Sequence, residues 1–153
     1  MTQAYLQGRA LERMFGIHVA RATASLPATT AHALFTIAGG RVLLVNILGE
    51  VTTIIQTQAN NTKLTSNPTT GTSVDMCAVL DITADEVGCL YGITGLPSDA
   101  LVGTNAGFAP VMYRKQVLPI GTIDLDCAAT NTGAIKWDLW YIPLDEGASV
   151  VAA

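Results

Sequence analysis

The stretch AIKWDLWY, residues 134–141, alternates apolar and polar side chains with the two-residue period of a β-strand. In a strand, its odd-numbered side chains share one face, and that face is apolar throughout. The even-numbered face carries Lys136, Asp138 and Trp140, which places two charges beside an indole. One face therefore predicts a core, and the other raises the question of what covers Trp140.

The preceding stretch, GTIDLDCA at residues 121–128, has the same alternation. A hairpin must match the two apolar faces, because a slip of one residue moves every side chain to the other face. A three-residue loop at 131–133 achieves this match and sets Leu125 opposite Leu139. Gly133 stands where such loops commonly need a positive φ. The pattern predicts a hairpin whose outer patch comprises Asp124, Asp126, Lys136, Asp138 and Trp140.

This outer patch is predicted to be a partner interface. The hairpin register sets Asp126 opposite Asp138, which is unfavourable by roughly 0.2–1 kcal/mol, and Lys136 offsets part of that cost. Burying a tryptophan removes about 150–250 Å² from water, worth on the order of 4–6 kcal/mol at ~25 cal/mol per Å². A neighbouring subunit could supply the cover. The alternative is cover by the chain itself, for example by the C-terminal residues 145–153.

The remainder of the chain after residue 24 reads as short strands separated by turn signals. Gly49 interrupts a long β-branched stretch and predicts a bulge or bend. Thr83 and Glu86 fit a capping box, which predicts one short helical turn. About eight strands are expected. We predict an all-β protein, an antiparallel β-sandwich of jelly-roll type over residues 25–153.

Residues 1–24 differ from the rest of the chain in net charge and are predicted to form an N-terminal arm, either helical or extended. They carry Arg9, Arg13 and Arg21 against one glutamate, a net charge of +2, whereas residues 25–153 carry five basic and eleven acidic side chains, a net of −6. We expect the three arginines to contact an acidic shell or a neighbouring subunit. An arm that becomes ordered on binding can span a wide seam.

Composition favours an assembly over a free monomer. Hydrophobic residues make up 50% of the chain and charged residues 13%, about half the share in ordinary soluble domains. The pI of about 4.9 argues against a nucleic-acid partner. The chain has no apolar run long enough for a transmembrane helix and no secretory signal, so we expect synthesis in a cytoplasm-like compartment. Its three cysteines are predicted to be buried hydrophobic side chains.

The sequence gives little sign of catalysis. The two histidines lie in unrelated segments, and no nucleophile, phosphate-loop or zinc-protease motif occurs. Asp81, Asp85 and Glu86 lack the spacing of a calcium loop. Asp124 and Asp126 could act as a glycosidase pair, but they lie on one open strand face without a visible cleft. We therefore predict no enzyme, no cofactor and no metal site.

Three stretches carry a resemblance: GGRVLLVNILGEVTTIIQTQANNTKL, NPTTGTSVDMCAVLDITADEVGCLYGITG and GTIDLDCAATNTGAIKWDLWYIPLDEGA. Their short Thr-, Asn- and Gly-rich strands, low charge and late tryptophans resemble the decoration (cement) proteins of tailed-bacteriophage capsids, over about residues 25–150. The resemblance implies a non-enzymatic virion protein, often a homotrimer, that binds the major capsid protein at the capsid surface. No functional residue carries over, because the class offers no motif to match.

Two other classes remain open. An exposed tryptophan beside aspartates also suits a carbohydrate- or receptor-binding module of a phage tail. A tail-tube or connector subunit is the third alternative, and it would form rings or tubes.

Overall fold

The computed structural model describes residues 8–105 and 112–153, without the side chains of Arg9, Glu12 and Arg13. One short helix precedes twelve strands in these ranges. In chain order they are α1 (Arg9–Phe15), β1 (Ile17–Ser25), β2 (Ala31–Ala38), β3 (Val42–Thr53), β4 (Asn61–Pro68), β5 (Val74–Asp75), β6 (Leu80–Asp81), β7 (Leu90–Gly92), β8 (Val102–Thr104), β9 (Gln116–Leu118), β10 (Gly121–Cys127), β11 (Ala134–Pro143) and β12 (Ser149–Ala152).

The strands form two antiparallel sheets that pack on each other. The first, called the β11 sheet, has the order β1-β11-β3-β7-β8, with β9 also paired to β3. The second, called the β10 sheet, has the order β12-β2-β10-β4-β5, with β6 also paired to β4. The all-β prediction is confirmed, and the described residues contain more strands than the eight expected from turn signals.

The predicted hairpin of residues 121–141 is wrong. β10 pairs with β2 and β4, whereas β11 pairs with β1 and β3, so the two strands lie in different sheets. Their apolar faces do meet, but across the sandwich and not side by side. Alternation correctly assigned each side chain to an inner or outer face. It could not distinguish lateral pairing from face-to-face packing, because both bring apolar side chains together.

Polar contacts hold the connection between β10 and β11, which crosses from one sheet to the other. The buried Asn131 side chain donates hydrogen bonds to the carbonyl oxygens of Gln56 at 3.3 Å and Gln58 at 2.7 Å. The backbone of Thr132 accepts a bond from Gln56 N, and Gly133 O accepts one from Leu26 N. Gly133 has the expected positive φ, 137°, but it serves a cross-sheet connection and not a hairpin turn.

The core lies between the two sheets, and Trp137 is its largest fully buried side chain. Gly49 faces it directly across the β3–β11 ladder. A Cβ built on Gly49 would lie 2.8 Å from the Trp137 ring, so the glycine makes room for the indole. Of the bulge or bend predicted at Gly49, the bulge is wrong, because the register shifts of this ladder fall at Ala134/Ile135 and Trp140/Tyr141.

The helical turn predicted at Thr83–Glu86 is also absent, and turns occupy this region. The Thr83 hydroxyl donates a hydrogen bond to Asp81 Oδ1 at 2.6 Å, so it is engaged with a preceding residue and does not cap a helix. Ala84 has a positive φ of 59°, which is incompatible with a right-handed helical turn. The three cysteines are free and buried, as predicted.

The segment predicted as an arm contributes a strand to the sandwich. Residues 17–25 form β1, which pairs with β11 along its length, so the boundary predicted at residues 24/25 falls inside this strand. Gly16, with φ of 88°, links α1 to β1 and lies against the backbone of Tyr141. Only residues 8–16 of the described chain remain outside the two sheets at this end.

Candidate interaction surface

The predicted patch of five outer-face residues is divided between two sheets. Lys136, Asp138 and Trp140 lie on the outer face of the β11 sheet, whereas Asp124 and Asp126 belong to β10 in the other sheet. The expected repulsion between Asp126 and Asp138 therefore does not arise. The structure brings together three of the five residues.

Trp140 is covered in part by its own chain. His18 of β1 stands directly opposite Trp140, and the two rings stack with centroids 4.9 Å apart and an interplanar angle of 27°. The same imidazole places Nε2 2.7 Å from Asp138 Oδ1. On the other side of the ladder, Trp140 pairs with Asn46. The indole is half-buried, and His18 lies in the segment that sequence reasoning had assigned to the arm.

Lys136 is engaged on the same face. Its Nζ lies 2.8 Å from Glu50 Oε2 on the adjacent strand β3. This hydrogen bond, together with the charge of Glu50, raises the pKa of Lys136. Lys136, Glu50 and Asp138 are thus engaged within the chain, and exposed ion pairs of this kind contribute little to stability.

The two aspartates of β10 have different environments. Asp126 lies 3.9 Å from Lys63, which also holds Asp75 at 2.8 Å. Asp124 is buried, with one oxygen accepting a 3.2 Å hydrogen bond from Asn67 Nδ2 and the other without a partner among the described atoms. Asp124 is therefore part of the layer beneath the surface and is not available as an exposed contact.

The three arginines predicted to reach a partner also separate. Arg21 lies on β1 beside Trp137, lines a small cavity with Leu26 and His32, and is half-buried. Burial lowers the pKa of Arg21. Arg9 and Arg13 belong to α1, and the prediction for them falls on side chains outside the described part of the chain.

Sequence reasoning missed an apolar groove between the two sheets. It lies between β5, the edge strand of the β10 sheet, and β9, and it has a volume of about 450 Å³. Val74 on β5 and Val117 on β9 line it and are 61% and 56% exposed, with Met76, Pro97 and Pro119 beside them. The sequence signal was weak, because both strands are three residues or shorter.

Helix α1 is a second exposed apolar feature. Leu11, Met14 and Phe15 are 40%, 58% and 62% exposed. Their spacing of three and four residues places them on one side of a helix. A seven-residue helix is marginal in water and depends on packing for stability, so an uncovered apolar side is unusual. We call these three side chains the α1 stripe.

The described residues offer little for chemistry. No group of three or more potential ligands for a metal ion occurs among them. The buried Tyr91 hydroxyl donates a hydrogen bond to Asp85. Burial is the larger cause that raises the pKa of Tyr91, and this hydrogen bond is the next. Burial likewise raises the pKa of the Cys89 thiol to about 11, which keeps it protonated and a poor nucleophile at neutral pH.

Within residues 8–105 and 112–153, no helix combines the length and apolar character needed to cross a membrane.

Comparison with known proteins found no matching family model, no matching curated protein and no matching solved structure. The interpretation of function therefore rests on the chain itself.

Proposed function

We propose that this chain is a structural adhesion protein of a phage virion, a decoration or cement protein that binds and stabilises the capsid shell without chemistry. The observation that carries the proposal is the apolar exterior. Twelve large hydrophobic side chains are exposed in the described part of the chain, while only 13% of all residues are charged. Five of them cluster at the α1 stripe and at the groove, and clustered apolar surface commonly marks protein–protein contact.

The finer features of the proposal follow from the resemblance to capsid decoration proteins. The partners are copies of this chain, as a homotrimer, and the major capsid protein, with no nucleic acid, membrane or cofactor involved. The chain is made in the host cytoplasm and resides on the capsid surface. A jelly-roll connectivity belongs to the same expectation. The stacked sheets and apolar edges are compatible with each of these features.

The exposed edges replace the Trp140 patch as the centre of the proposal. Trp140, Lys136 and Asp138 each have an intrachain neighbour, whereas the α1 stripe and the groove residues Val74 and Val117 leave large apolar side chains exposed. Burial of apolar surface is the dominant favourable term in protein association. Adhesion should therefore depend more on these edges than on the charged residues first singled out.

The carbohydrate-binding alternative depends on Trp140. Sugars stack on an open aromatic face, but His18 already covers one face of this indole. A glycan array with the wild-type chain and the Trp140→Ala variant separates the two functions. Glycan binding that disappears in the variant would favour a receptor-binding role. Absence of glycan binding leaves the shell-binding proposal as the better account.

Location on the virion is the direct test. Particles of the phage that encodes the chain can be labelled with an antibody raised against it and viewed by negative-stain electron microscopy. We expect label distributed over the capsid. Label confined to the tail would support the tail or connector alternative, and particles without any label would contradict a virion role. Virus particles treated with pre-adsorbed antibody provide the control.

A further inference from the structure

We propose that the α1 stripe of one copy occupies the apolar groove of the next copy, so that the chain assembles head to tail. This inference rests on the proposed structural function and names the contact through which copies join. The two surfaces have matching character. One is an exposed apolar helix side with Leu11, Met14 and Phe15, and the other is an open cleft lined by Val74, Val117 and three prolines.

The groove has room for such an insertion. Its volume of about 450 Å³ lies within the roughly 300–1,000 Å³ of pockets that hold ligands, so it can take several apolar side chains. Its walls are β5 and β9, and β5 is an edge strand. An exposed apolar edge is a liability unless it is covered. Docking of the α1 stripe covers both unprotected surfaces in one contact.

In the structure, the described residues of helix α1 do not occupy the groove of their own chain. One cross-strand row runs from Ile17 through Tyr141 and Leu44 to Gln116. Helix α1 adjoins the first residue of this row and the groove adjoins the last. Three strand spacings, roughly 14 Å, separate these two points. The described α1 residues do not line the groove, and the α1 stripe is exposed, so the groove is open to the helix of another copy.

Charge adds to the apolar match. Residues 1–16, up to the start of β1, hold two arginines and one glutamate, a net charge of +1, and residues 17–153 hold six basic and eleven acidic side chains, a net of −5. Asp75 lines the groove. An arm of one sign approaching a body of the other is steered toward docking, and like-charged pairings of two arms or two bodies are disfavoured.

The geometry has a consequence for symmetry. The donor helix and the acceptor groove lie at opposite edges of the β11 sheet, so the contact joins two different surfaces. Such a heterologous contact generates a closed ring or an open chain of copies. A closed ring of three is the arrangement that the expected homotrimer requires.

Mass measurement on the full chain tests the contact. We expect the wild-type protein to be an oligomer by light scattering, and the donor variant Met14→Ser/Phe15→Ser and the acceptor variant Val117→Glu each to be monomers. Ile54→Ser and Val87→Glu change equally exposed apolar side chains elsewhere and serve as matched controls that retain the oligomer. Circular dichroism confirms that each variant is folded.

Mixing the two defective variants gives the sharper result. The donor variant keeps its groove and the acceptor variant keeps its helix, so an equimolar mixture should form a 1:1 heterodimer and nothing larger. A symmetric contact between like surfaces would not produce this rescue. A monomeric wild-type chain, or defective variants that remain oligomeric, would overturn the proposal.

Cross-linking provides a second readout that does not depend on a loss of assembly. In the Phe15→Cys/Val117→Cys variant, oxidation should join chains into a ladder of disulfide-linked species, whereas Phe15→Cys/Val87→Cys should remain monomeric on a denaturing gel. The native cysteines are buried and do not interfere. If copies join in this way but virions carry no label, the contact stands and the shell function fails. If virions are labelled but no ladder forms, the shell function stands and the proposed contact between copies fails.

Discussion

The two tryptophans of β11 stand three residues apart and have opposite environments. Trp137 is 1% exposed and packs over Gly49 in the core, whereas Trp140 lies on the outer face against a single imidazole. The first is held by close packing between two sheets, and the second by a cross-strand neighbour. The side of the strand that a residue faces, and not its type, determines how much it contributes to the fold.

The difference between the two tryptophans also indicates where adhesion is to be expected. The inner side of β11 is complete within one chain, and the outer side is largely complete as well, because His18 and Glu50 engage its polar and aromatic groups. Exposed apolar side chains of the described residues cluster instead at the α1 stripe and at the groove. We therefore expect binding at these edges of the protein.

The largest effect is expected from Trp137→Ala. Truncating a fully buried aromatic side chain costs about 3–5 kcal/mol of unfolding free energy. Trp140→Ala should cost about 1 kcal/mol or less, in the range of cross-strand pairs. Urea unfolding of the two variants measures the difference. Equal losses would show that the outer indole is as well packed as the inner one, which would contradict the difference between the two environments.

The next effect concerns the glycine beneath Trp137. Gly49→Ala should destabilise the fold by about 1–3 kcal/mol, because the added methyl group meets the indole ring at 2.8 Å. The cost should fall in a Trp137→Leu background, where the ring is gone. A double-mutant cycle on unfolding free energies isolates this coupling. Additive effects of the two substitutions would contradict the close approach.

Much of this arrangement was predictable from the sequence, and the failures have a common cause. Alternation identified Ile123, Leu125, Trp137 and Leu139 as inward-facing, and all four are buried. It could not assign β10 and β11 to different sheets, because strand partners are set by contacts distant in sequence. Asn131 shows this, since its decisive partners Gln56 and Gln58 lie more than seventy residues away.

The candidate surface was less predictable for a related reason. Two short strands form the groove, and neither has enough residues to show a period. His18 lacked any local sign of its pairing with Trp140, because the two are joined only by the β1–β11 ladder. Charge asymmetry did point to the N-terminal segment, but it did not show that residues 17–24, a third of that segment, belong to a strand.

A smaller effect tests the cover over Trp140. His18→Ala removes both the stacked ring and the contact with Asp138, so we expect a loss of roughly 0.2–1 kcal/mol and greater access of acrylamide to one of the two indoles. Tryptophan fluorescence quenching measures that access. Val151→Ala is the control, since Val151 is an exposed side chain on the other sheet. Unchanged quenching in His18→Ala would mean that the stacking does not persist in solution.

The smallest effect is expected at the loop that precedes β12. Asp145 accepts hydrogen bonds from the Arg41 side chain at 2.8 and 2.9 Å and from its backbone at 2.8 Å, and these bonds hold the pKa of Asp145 well below its usual 3.8. A carboxylate whose pKa is lowered in the folded state stabilises the fold at pH values above its unfolded pKa. This contribution is lost as the pH falls toward the folded pKa.

Unfolding free energies measured from pH 6 down to pH 2 should therefore decline less steeply in Asp145→Asn than in the wild-type chain. Glu146→Gln, which removes the adjacent exposed carboxylate, is the matched control, and a decline in Asp145→Asn as steep as that of the control would contradict the bidentate contact. Because this contact is on the outside of the sandwich, its loss should leave the fold intact, in contrast to any change at Trp137.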